Sequence, residues 1–62
     1  MLIKEYKYKD YIIEIHRNDF FNDFEYIIKK DNNVMYANTT FYKYQEDVER
    51  EAELEIDLRE NK

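Results

Sequence analysis

The 62-residue chain has no cysteine, glycine, proline, tryptophan or serine, and only one histidine. Each absence removes an option. Without cysteine there is no disulfide and no thiolate to hold zinc, and redox chemistry says nothing about compartment. Without serine or cysteine the common acyl-transfer nucleophiles are missing, and Thr39-Thr40 falls in an expected connecting loop with no evident base. His16 stands alone beside Arg17, which does not help it act as a general base. Asp31-Asn32-Asn33 lacks the glycine and distal glutamate of a calcium loop. A domain this small can hardly form the cleft that paired catalytic carboxylates need. The expectation is a protein that is not an enzyme and takes neither cofactor nor metal. Long apolar runs are absent too: nothing approaches the roughly 18 residues of a membrane span, and the N-terminus alternates instead of forming an apolar block. A soluble, cytoplasmic protein without membrane contact is expected. The shortage of residues with GC-rich codons, against abundant Lys, Asn, Ile and Tyr, suggests a low-GC bacterial or phage genome.

What is present is aromatic and charged. Seven Tyr and four Phe supply large buried area per residue, which a single small domain needs, because a chain of this length buries only about 60% of its unfolded surface. Asn and Asp must take the turns that Gly and Pro usually take. Leu2 to Tyr8 alternates, with Leu2, Lys4, Tyr6 and Tyr8 on one face. Tyr11 to Arg17 sets Tyr11, Ile13 and Ile15 against Ile12, Glu14 and His16, and Phe24 to Lys30 sets Phe24, Tyr26 and Ile28 against Glu25, Ile27 and Lys29. Lys9-Asp10 and Asp31-Asn32-Asn33 read as turns. Val34 to Asn38 reads as a short fourth strand.

Tyr44 to Leu58 follows as an amphipathic helix, with Tyr44, Val48, Ala52 and Ile56 stacked every four residues on one face. The order β-β-β-β-α predicts an α+β fold, a four-stranded antiparallel meander with one C-terminal acidic helix packed on it. The expected core is Ile13, Ile15, Tyr26, Ile28 and Val34 beneath Val48, Ala52 and Ile56. An inverted register would bury Ile12, Ile27 and Met35 instead.

Charge is unevenly spread. Residues 1 to 44 carry seven acids and seven bases, while residues 45 to 62 carry eight acids and three bases, so the whole net charge of −5 lies on the helix and its tail. Glu46-Arg50 and Glu55-Arg59 are spaced as i,i+4 pairs. Glu49, Glu53 and Asp57 form a like-charge row. It reads either as a solvated face or, with Glu46, as a carboxylate array for a partner with a basic, nucleic-acid-binding groove.

Two further surfaces are candidates for contact. The segment Asn18 to Phe24 contains Asn-Asp-Phe twice, so Phe20 and Phe21 are either a plug for the core end or aromatic anchors on a loop tip. Leu54 and Leu58 lie off the main helical stripe, and Ile12, Ile27 and Met35 lie on the face opposite the expected core. Together they suggest a homodimer, strengthened by salt if the acidic helices meet. Direct nucleic-acid binding is disfavoured: Lys4 to Lys9 interleaves lysine and tyrosine, but the strands carry no net positive charge and the helix would repel phosphate.

From Tyr11 onward the chain resembles the small domain of HicB-type antitoxins, in the strand Tyr11-Ile12-Ile13-Glu14-Ile15 and the helical text Glu46-Asp47-Val48-Glu49-Arg50-Glu51-Ala52. The family's Pro- and Gly-containing turn is missing. In size, acidity and composition the chain is also similar to small phage inhibitors of host defence, including anti-CRISPR proteins. Both resemblances imply a protein that binds and blocks another protein. The competing expectation is a structural homodimer or antitoxin-like module with no inhibitory role.

Overall fold

With no glycine to supply left-handed backbone, polar residues supply it: Lys9, Asn22, Asp31 and Asn32 have φ of 55°, 58°, 53° and 66°. Asn and Asp tolerate this region because their short side chains bond locally. Asp31 and Asn32, both left-handed, form a two-residue hairpin turn of the kind that matches the twist of its flanking strands.

The computed structural model describes residues 1–37 and 43–60. The expected strand end at Asn38 to Thr40, with the Thr39-Thr40 pair, lies outside them. Strands β1 (Leu2–Tyr8), β2 (Tyr11–Asn18), β3 (Asp23–Lys30) and β4 (Asn33–Ala37) form an antiparallel sheet in the order β1-β2-β3-β4, and helix α1 (Gln45–Glu60) packs on one face of it. This is the expected meander with one helix. No helix among the described residues is long and apolar enough to cross a membrane.

The core joins Tyr11, Ile13 and Ile15 of β2 to Tyr26 and Ile28 of β3 beneath Val48, Ala52 and Ile56 of α1. Tyr6, Tyr8, Phe24 and Tyr36 pack around its margin. Each fully buried Ile or Val stabilises the fold by about 1.5–3 kcal/mol relative to exposure, so a handful of such residues dominates a domain this small.

Three sequence expectations fail at the periphery. Val34 is not in the core; it is 59% exposed. The turn has two residues, not three, so Asn33 already pairs with Lys30 and Val34 falls opposite Lys29, on the face away from the helix. Met35 is then an extra residue in the edge strand, and this bulge returns Tyr36 to the helix side opposite Ile28. There the Tyr36 ring stacks on Tyr26 at 5.9 Å and lies under the Arg59 guanidinium at 5.0 Å.

The second failure is Leu2. A bulge at Ile3 breaks the alternation, so Leu2 pairs with His16 and shares its face, not that of Tyr6. The third is Tyr44, which precedes the helix and is 62% exposed. Its carbonyl accepts the first helical hydrogen bond, from Val48 N–H at 3.3 Å. No side chain caps this end among the described residues, and Glu46 and Asp47 in the first turn favour the positive end of the helix dipole instead.

Candidate protein-binding site

The loop between β2 and β3 is built by Asn18. Its side-chain Oδ1 accepts from Phe20 N–H at 2.9 Å and from Phe21 N–H at 3.3 Å, and its carbonyl accepts from Asn22 N–H at 2.7 Å. These bonds close the loop and turn both phenylalanines outward. Phe20 is 87% exposed and Phe21 65%, with their rings edge to face at 4.8 Å. Neither ring plugs the core. Phe24, the phenylalanine of the second Asn-Asp-Phe copy, packs at the core margin instead.

The surface continues on both sides of the loop. Phe21, Asn22 and Asp23 line a shallow cleft with Lys43 and Tyr44, at the approach to the helix. On the other side Met1 exchanges hydrogen bonds with Arg17, both at 2.8 Å, and Leu2 pairs with His16, so the exposed Met1, Leu2 and Ile3 lie at the same end of the sheet. Sequence reasoning found Phe20 and Phe21 but missed Tyr44 and the N-terminal residues. Only the sheet register and the path into the helix place them beside the loop.

The carboxylate row has a different environment. Lys4, Tyr6 and Tyr8 share the face of β1 that meets the helix, and each has an acidic partner there. Lys4 Nζ donates to Glu49 at 2.9 Å, Tyr6 Oη to Glu53 at 2.7 Å, and Tyr8 Oη to Asp57 at 3.0 Å, with Lys9 Nζ on the same Asp57 oxygen at 2.6 Å. The spacing is commensurate. Two residues of strand advance about 6.7 Å and four residues of helix about 6.0 Å, so donors at every second strand position meet acceptors at every fourth helix position. The row therefore clasps β1 to the helix within the chain. Glu46, one turn before Glu49, is exposed and borders a shallow acidic groove with Glu49, Arg50 and Glu53.

The ladder shows in the ionisation of its members. Hydrogen bonds from Lys9 and Tyr8 hold the Asp57 carboxyl below its ordinary value, and the same bond to Asp57 raises Lys9 and Tyr8. For Glu49, burial alone would raise the carboxyl, but bonds from Lys4 and Gln45 outweigh it and the net direction is down. Burial first, then the bond to Glu53 and its charge, push the Tyr6 phenol far up. Of the expected helical pairs, Glu55–Arg59 forms at 3.1 Å, while Arg50 reaches Asp47 one turn back.

Leu54 and Leu58 are exposed on the side of the helix turned away from Val48, Ala52 and Ile56. Ile12 and Ile27 lie half-buried on the far face of the sheet, two layers away. One symmetric patch therefore cannot bury both sets, contrary to expectation. Met35 is exposed at the bulge of the edge strand β4. On the uncovered face Glu14 is the one buried charged residue among those described, accepting from Lys29 Nζ at 2.9 Å and bonded to His16 Nε2 at 2.8 Å. Those two bonds, Lys29 first, hold its carboxyl below the ordinary range.

No group of acidic or histidine side chains suited to a metal ion occurs among the described residues. No protein-family model, curated protein or solved structure matches this chain.

Proposed function

We propose that this chain is a non-catalytic binding protein that docks on another protein and inhibits it, with Phe20 and Phe21 as its anchors. The observation that carries the reading is the exposed, edge-to-face phenylalanine pair held on a hydrogen-bonded loop. Burying such a ring is worth about 1.5–3 kcal/mol, little of which the free molecule gains for Phe20. Paired aromatics fixed before contact lose little side-chain entropy on docking, which suits them to the centre of an interface. Tyr44 extends the apolar surface, and Asp23 and Lys43, which line the same cleft, give its rim charge of both signs, which favours a partner pocket with a polar, charge-complementary rim. A host defence protein blocked by a phage-encoded inhibitor is the setting that the resemblance to small anti-defence proteins supports.

The test compares three forms of the tagged chain as bait in lysate from a low-GC bacterium: the natural sequence, Phe20→Ser/Phe21→Ser, and Leu54→Ser/Leu58→Ser as a surface control. The expected result is a protein captured by the first and third but not the second, whose purified activity falls when the natural chain is added. Capture that survives loss of both phenylalanines, or a captured protein whose activity is unchanged, would overturn the proposal.

A further inference from the structure

We propose that the uncovered face of the sheet is an interface with a second copy of this chain, packed face to face. This surface is separate from the phenylalanine tip and does not depend on the function proposed for it.

The register lays out the face in rows. One row across the four strands is Glu5, Glu14, Ile27 and Ala37; the next is Lys7, Ile12, Lys29 and Val34. A further row holds Leu2, His16 and Glu25. The acids of the first row thus lie beside the bases of the second, around a zigzag of apolar side chains, Ile12, Ile27 and Val34. A two-fold axis lying in this face, across the strands and between the first two rows, places each row on the other row of the second copy. Glu5 then meets the second copy's Lys7, and Lys7 its Glu5. Ile27 meets the aliphatic stem of Lys29. Glu14 enters already bonded to Lys29 and His16, so no unpaired charge is buried. The strands of the two sheets run nearly in line, as in aligned sheet packing.

Charge selects this face over the others. The net −5 of the chain resides on the helix and tail, and a dimer through Leu54 and Leu58 would bring two acidic helices together. Packing through the uncovered faces puts those helices on the outer surfaces. With about 10 Å between sheets and about 10 Å from each sheet to its helix, they stand roughly 30 Å apart, several Debye lengths at physiological salt. Four strands at about 4.8 Å and about seven residues at about 3.3 Å project roughly 440 Å² per copy, so the two faces bury on the order of 1,000 Å². That is the low end for a specific interface, and the dimer is accordingly weak.

Sedimentation equilibrium of the full chain from about 10 μM to about 1 mM tests the assignment at concentrations suited to so small an interface. A monomer–dimer equilibrium is expected, weakened by added salt because charged stripes meet across it. Lys7→Glu, at an exposed position that the fold does not need, should weaken association about tenfold, and Glu5→Lys/Lys7→Glu should restore it, each of the two symmetric ion pairs contributing roughly threefold. Circular dichroism of each variant verifies the fold. A monomer at every concentration, or association that Lys7→Glu leaves unchanged, would overturn the proposal. So would association strengthened by salt, which would place the acidic helices in contact.

Discussion

Removing one oxygen atom, in Tyr6→Phe, asks whether the carboxylate row belongs to the fold or to a partner. The Tyr6 hydroxyl donates to Glu53 at 2.7 Å in a partly buried contact between β1 and the helix. A hydrogen bond to a charged group is worth about 1.5–3 kcal/mol when shielded, and water recovers part of the loss at a half-exposed site, so the expected cost is about 1–2 kcal/mol. For a 62-residue domain whose total stability is of the order of 3–9 kcal/mol, this is a large fraction. It corresponds to a fall in melting temperature of about 4–15 °C. Urea unfolding followed by circular dichroism gives the single-variant value. A double-mutant cycle with Glu53→Ala isolates the contact, with an expected coupling of about 1 kcal/mol. The same variant has an alkaline signature. The raised folded-state pKa of Tyr6 contributes stability that is complete below the unfolded value of about 10 and is lost as pH rises through the folded value, and this component should vanish in Tyr6→Phe. A variant within about 0.3 kcal/mol of the natural chain, with no coupling to Glu53, would show that the row faces solvent and would refute the clasp.

Ile28→Ala, at a side chain with no exposed surface, should cost about 2–5 kcal/mol, a large part of the domain's stability, read as a lowered urea midpoint by near-ultraviolet circular dichroism. Val34→Thr should change the unfolding free energy by less than about 0.5 kcal/mol, since Val34 lies on the uncovered face opposite Lys29. A cost near that of a core valine would restore it to the core. In acid, Glu14, Glu49 and Asp57 have lowered folded-state values, so their contribution is complete above the unfolded values of about 3.9–4.3 and disappears as pH falls through the folded ones. The unfolding midpoint should therefore be level near neutrality and drop below about pH 4, with a smaller drop in Lys9→Met, which removes the first donor to Asp57.

Strand period and helical period, read residue by residue, determined the element order, the helix face and most of the core. Ile13 and Ile15, and likewise Tyr26 and Ile28, stand at steps of two along their strands, and Val48, Ala52 and Ile56 recur every four, so local pattern and burial agree. The paired row was also legible in principle. Lys4, Tyr6 and Tyr8 at steps of two, and Glu49, Glu53 and Asp57 at steps of four, advance by nearly equal lengths, and only the assumption that like charges seek solvent hid the match. Tertiary structure decided what periodicity cannot express. One extra residue at Ile3 and another at Met35 reverse the faces of everything beyond them, because a strand alternates with period two and has no memory of its neighbour's register. Whether Met35 or Tyr36 stood opposite Ile28 depended on the Tyr26 ring and the Arg59 guanidinium that receive Tyr36, partners contributed by β3 and by the far end of the helix. The apolar end has the same origin: Met1 beside Arg17, and Phe21 beside Tyr44, lie at the same end of the sheet because an antiparallel meander brings alternate strand ends to one side, which is a property of the assembled sheet and not of any segment within it.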